Sequence, residues 1–109
     1  MATESAIRQY AAALERGLAE EIVFTPHGGT ARTVTAIVDR QPPAYDLEGP
    51  SPRLRIRLLN DATLGVLASA LDVLKDQITV AYKAGDTATT MITGHMVYSD
   101  ADEVVVEIV

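Results

Sequence analysis

The sequence predicts a small, mainly β domain: a β-barrel or sandwich of about six short strands, with an N-terminal helix and one further short helix. Three observations carry this. Arg53-Leu54-Arg55-Ile56-Arg57-Leu58-Leu59 alternates basic and apolar residues without a break. A strand sends successive side chains to opposite faces, so Leu54, Ile56 and Leu58 share a core face and Arg53, Arg55 and Arg57 share the other. Turn chemistry recurs at short intervals, at Pro26-His27-Gly28-Gly29, Lys83-Ala84-Gly85-Asp86 and Ser99-Asp100-Ala101-Asp102. Between these turns the residues are rich in β-branched side chains, as in Thr33-Val34-Thr35-Ala36-Ile37-Val38.

At 109 residues the chain has room for one domain and one modest core. The expected organisation is an N-terminal helix over 1–19 and a β-barrel domain over 20–109, with a long loop at 41–52. Cysteine is absent, which rules out disulfides and thiolate metal sites. No apolar run is long enough to span a bilayer, so no membrane partner is expected. The N-terminus has neither the basic start nor the apolar centre of a secretion signal. The formal net charge is -6, a poor match for a protein that wraps nucleic acid.

Taken in order, Thr3 to Gly17 reads as a helix with Ile7, Tyr10, Leu14 and Leu18 as one apolar stripe, Thr3 as its cap and Gly17 as the start of its C-terminal stop. Glu20 to Thr25 and Thr30 to Asp39 then form a hairpin. The stretch Gln41 to Pro52 holds four of the five prolines. Proline has no backbone donor, so the segment is expected to lie outside any sheet as an irregular loop, with Pro42, Pro43, Tyr45, Leu47, Pro50 and Pro52 as its assembly residues. Ala62 to Leu74 carries Leu64, Leu67, Leu71 and Leu74 at helical spacing, flanked by Val66, Ala70 and Val73. Apolar on two sides, this helix is expected to use Val66, Ala70 or Val73 as a subunit contact. Gly65 weakens it by about 1 kcal/mol relative to alanine. Three strands close the chain: Gln77 to Tyr82, Thr87 to Tyr98 with a bulge at Gly94, and Glu103 to Val109 with Val104, Val106 and Ile108 inward.

Catalytic patterns are missing. His27 and His95 lack the spacing of a metal pair, and His95 reads as a partly buried strand residue. No serine sits in a Gly-x-Ser-x-Gly turn. Gly28-Gly29 has no following helix or Lys-Ser/Thr pair, so it reads as a turn and not a phosphate cradle. Asp100, Asp102 and Glu103 lack the further ligands of a calcium loop. Neither an enzyme nor a cofactor or metal is expected. For the basic strand face the favoured partner is carboxylate from an adjacent subunit or ring, with Glu103 and Glu107 as examples of such carboxylates; solvent and DNA phosphate are the alternatives.

One resemblance joins these elements. An N-terminal helix is followed by Val34-Thr35-Ala36-Ile37-Val38-Asp39-Arg40, a Pro-rich loop, Gly49-Pro50-Ser51-Pro52-Arg53-Leu54-Arg55-Ile56-Arg57, and paired strands. This resembles the small head–tail joining proteins of long-tailed bacteriophages, also called head completion or stopper proteins. The segment 60–76 is longer than the family's usual short turn, and Lys75-Asp76 stands where that family has Gly-Asp. The resemblance implies a virion protein assembled in the host cytoplasm. It implies a ring of roughly six or twelve copies, a portal or adaptor ring on one side, and a tail terminator or tail tube on the other. DNA would pass through the channel without sequence-specific binding. The competing readings are a tail terminator or tail-tube subunit and a small β-barrel ligand-binding module.

Overall fold

The computed structural model describes residues 2–46, 49–81 and 87–108, and the side chains of 41–53 are not among what it describes. One α-helix, α1 (Glu4–Glu15), precedes six strands: β1 (Glu20–Thr25), β2 (Arg32–Asp46), β3 (Gly49–Leu59), β4 (Gln77–Ala81), β5 (Ala88–Ser99) and β6 (Glu103–Ile108). They close into a barrel in the order β1-β2-β3-β6-β5-β4, with antiparallel neighbours throughout. The fold class read from the sequence is the one observed.

Alternation builds the core. Ile22, Phe24, Val34, Ala36, Leu54, Ile56, Leu58, Ile78, Val80, Val104, Val106 and Ile108 point inward and form one buried cluster. Each fully buried Val, Leu or Ile stabilises the fold by about 1.5–3 kcal/mol. In β5 the register shifts between Thr93 and His95, so Gly94 sits at a bulge as its lack of a side chain suggested. Thr93 is fully buried and gives its hydroxyl to the Asp76 carbonyl at 3.1 Å.

The two barrel mouths are closed differently. At one, Arg40 and Glu20 meet across β2 and β1: Nη1 and Nη2 donate to the two carboxylate oxygens at 3.0 and 2.8 Å. The same guanidinium donates to the Ala81 carbonyl of β4 from Nε at 3.2 Å and Nη2 at 3.1 Å. At the other mouth, the segment between β3 and β4 folds over the core. Arg32 there stands 5.5 Å from the Phe24 ring centroid, a cation–π contact.

That segment corrects the expected helix over Ala62 to Leu74. Only a 3-10 turn, Ala68–Ala70, is regular. The reason is packing. Val66 is buried in the core cluster and Leu71 packs against it. Residues five apart on an α-helix lie about 140° apart around its axis, so one helix cannot send both into the same core. Other acceptors take the backbone donors instead. Leu59 O accepts from Val66 N–H at 2.9 Å, and Asn60 Oδ1 accepts from Ala68 N–H at 3.1 Å. Asp61 Oδ1 accepts from the N–H groups of Thr63 and Leu64 at 2.9 and 3.0 Å. Those two donors, Leu64 first, hold the Asp61 carboxyl below the usual carboxylate range.

Helix α1 follows its expected signals. Thr3 caps it, accepting from Ala6 N–H at 3.2 Å, and Gly17 takes a left-handed φ of 75° just after it. Ala2, Ala6 and Tyr10 are buried with Leu59, and Ile7 and Ile37 pack beside them. Leu18 departs from the stripe. It lies beyond the helix end and is 66% exposed.

Candidate functional site

The segment expected as an irregular loop is mostly sheet. Strands β2 and β3 continue as a two-stranded ribbon: Gln41 pairs with Arg53, Ala44 with Ser51, Tyr45 with Pro50 and Asp46 with Gly49. Pro42, Pro43 and Tyr45 therefore lie in β2, and Pro50, Pro52 and Arg53 in β3; Leu47 lies outside the described residues. Proline is excluded from sheet interiors because a neighbouring strand would need its missing N–H. Here that need does not arise. β1 pairs with β2 at Arg32 to Ala36, and β6 pairs with β3 at Arg55 to Leu59, so among the described residues the ribbon has no strand on either outer edge. Pro42 and Pro43 fall in a bulge where the register shifts. Pro50 and Pro52, two apart, direct their nitrogens to one edge, and Ser51 between them keeps its pairing with Ala44. The prolines thus remove donors from the edges of the ribbon, a device that blocks sheet extension by another chain.

At Arg55 and Arg57 the basic face finds its partners in the same chain, while the side chain of Arg53 lies outside what is described. The register sets β6 beside β3, with Arg55 opposite Glu107 and Leu59 opposite Glu103. Arg57 Nη2 donates to Glu103 Oε1 at 2.7 Å, and Arg55 Nε donates to Glu107 Oε2 at 3.4 Å. The carboxylates expected from another subunit come from β6. Both pairs are partly solvated, so each contributes about 1 kcal/mol or less. Their effect is to neutralise this wall: cross-strand neighbours run Asp39, Arg55, Glu107, His95 from β2 to β5. His95 is exposed, not partly buried as its strand position suggested.

The expected subunit contact through Val66 is corrected. Val66 is 2% exposed and packs in the core, whereas Ala70 is exposed and Val73 half-buried. Beside α1, a cavity of about 150 Å³ opens among Ile7, Tyr10, Leu14, Thr35, Leu59 and Leu64. It is apolar and suits one or two aliphatic groups, not the convergent polar groups of a small-ligand site.

Three polar residues that organise the site area escaped the reading of the sequence. Arg40 and Glu20 fasten the base of the ribbon to β1 and β4. Asp76 is 2% exposed, and its carboxylate accepts from His27 N–H at 2.8 Å and Asp72 N–H at 2.7 Å. Except for the Asp72–Asp76 bond, these contacts join residues far apart in sequence, with no motif to mark them. Asp100 anchors the β5–β6 turn: it accepts from the Tyr98 hydroxyl at 2.6 Å and from the N–H groups of Asp102 and Glu103 at 2.8 Å. The Tyr98 hydroxyl, then those N–H groups, lower its pKa. Among the described residues no group of three or more His, Cys, Asp or Glu is placed to hold a metal ion.

Compared with models of protein families, with curated proteins and with solved structures, the chain matches none.

Proposed function

We propose that this chain is a structural subunit of the neck of a long-tailed bacteriophage. It forms a homo-oligomeric ring between the portal or its adaptor and the tail, retains packaged DNA and provides the surface on which the tail docks. It does so without catalysis or cofactor. The observation that carries the reading is the ribbon. A pair of strands extended past a closed barrel, with no strand among the described residues on either outer edge, is marginal in water by itself and gains stability from a surface laid against it. In a ring that surface belongs to a neighbouring copy or an adjoining ring. The sequence resemblance points to the same assembly. An acidic subunit around the channel also suits passage of DNA, because like charge lets the duplex slide instead of gripping it.

Deleting Pro43 to Glu48 tests this. The deletion removes ribbon pairings that lie beyond the Gln41–Arg53 pair, and the five residues left between those two, Pro42 and Gly49 to Pro52, can close a shorter connection, so the barrel should fold with an unchanged melting profile. Particle assembly should stop at filled heads without tails. Tailed particles at wild-type yield would sink the proposal. Electron microscopy of labelled particles then separates the neck from the tail tube: a label repeated along the tube would favour a tube subunit instead.

A further inference from the structure

At the mouth from which the ribbon leaves, the inner face of the barrel ends in charge. Residues directly opposite each other in an antiparallel pair share a face. Arg40 lies opposite Leu54 and Glu20 opposite Ala36, and both Leu54 and Ala36 are fully buried. The two ionic side chains therefore occupy inward positions, in line with Ala36 and Val38 of β2 and with Ile22 and Phe24 of β1. Arg40 also stands where β2 loses support. β6 pairs with β3 as far as Arg55, which lies opposite Asp39, whereas among the described residues β1 pairs with β2 as far as Ala36. Beyond Ala36 the Arg40 side chain reaches back across this uneven edge to Glu20 and to the Ala81 carbonyl. That carbonyl lies past the β1–β4 pairs, which end among the described residues at Val23 and Thr79.

We infer that the Arg40–Glu20 pair is a conformational clasp: it sets the direction in which the ribbon leaves the barrel and adds little to the stability of the fold. The Arg40 side chain is 21% exposed, and an ion pair drawn this far from water loses in desolvation much of what it gains in attraction. An apolar residue at position 40 would continue the inner face, so stability does not account for charge there. Geometry does. The guanidinium is planar, and its donors diverge at fixed angles. Its two terminal nitrogens meet the two oxygens of Glu20, and its Nε side meets the Ala81 carbonyl. All these bonds form together only when β2, β1 and β4 stand in one arrangement, whereas apolar side chains would pack in several. The inference concerns how the ribbon is held, so it stands or falls apart from the neck reading.

Glu20→Leu with Arg40→Leu replaces both charges by apolar side chains. Its melting temperature should equal or exceed that of wild type. Native-state hydrogen exchange followed by NMR reads the ribbon base. The amides of Asp39, Gln41, Arg53 and Arg55 should exchange at least roughly tenfold faster, while those of Ile56 and Val106 in the β3–β6 pair exchange no faster than in wild type. Arg40→Lys keeps the charge but not the fork, and should show the same pattern without any added apolar surface. Glu4→Ala with Arg8→Ala removes the exposed pair of α1 as a control and should leave the ribbon rates unchanged. Wild-type rates at the ribbon amides in either Arg40 variant would overturn the clasp. So would faster exchange at Ile56 and Val106 together with a lower melting temperature, because the pair would then serve the stability of the whole barrel. Either result leaves the neck reading untouched.

Discussion

The hydroxyl of Tyr10 donates a 2.9 Å hydrogen bond to Glu103 Oε1, the oxygen that also receives Arg57 Nη2 at 2.7 Å. One carboxylate therefore ties α1, β3 and β6 together. Thr3 adds a second tie, its N–H donating to Asp102 Oδ1 at 2.9 Å. These contacts decide where the helix lies on the barrel, because the apolar contact beneath it is small and leaves the adjacent cavity unfilled.

Replacing Tyr10 with Phe should cost about 1 kcal/mol, the net worth of a typical hydrogen bond, and should leave the Arg57–Glu103 pair in place. It should also change the pH dependence. Burial first, and Glu103 second, raise the Tyr10 pKa well above its ordinary value of 10.0. The folded chain then holds this proton more tightly than the unfolded chain. That stabilisation is complete below about pH 10 and is lost as the pH climbs from there toward the folded value. Denaturation from about pH 9 to pH 11 should show a steeper fall for wild type than for the Phe variant. Tyr98, raised mainly by its bond to Asp100, contributes equally to both chains. Parallel curves would show that Tyr10 does not carry the effect.

Gly65 should not tolerate alanine. A Cβ there would overlap the Leu59 carbonyl oxygen, and the obstacle is backbone that cannot swing aside. The same carbonyl receives Val66 N–H, so any shift disturbs the fold-back over the core. Gly65→Ala should destabilise by roughly 2 kcal/mol or more, the range for steric strain at a buried site. In a helix the same change would stabilise by about 1 kcal/mol. Urea denaturation gives the sign, and a gain in stability would mean the segment is helical after all.

Val66 and Ala70 should behave oppositely. Val66→Asp puts an unpaired carboxylate in the core and should cost about 3 kcal/mol or more, unfolding a marginal domain. Ala70→Asp sits in solvent and should change stability by less than about 0.5 kcal/mol. Melting temperatures of the two variants check this. Similar melting temperatures would contradict the placement of Val66 in the barrel.

What the sequence determined by itself was the local part of the fold. Alternation settled which faces of Leu54 to Leu58 and Val104 to Ile108 point inward, because strand geometry leaves a side chain only two directions. The Thr3 cap and the Gly17 stop were legible for the same reason: each acts within a few residues. The Pro-rich stretch was seen as special, but its form was not. Proline forbids a strand only where a neighbour needs its N–H, and whether a neighbour exists is a property of the sheet. Leucines at helical spacing over 62–74 misled likewise, since Val66 and Leu71 both had to reach one core. Closure of the barrel brought β6 to β3, and so gave Arg55 and Arg57 their carboxylates inside the chain. Glu103 and Glu107 are some fifty positions from those arginines, and only the pairing of distant strands spans such a separation.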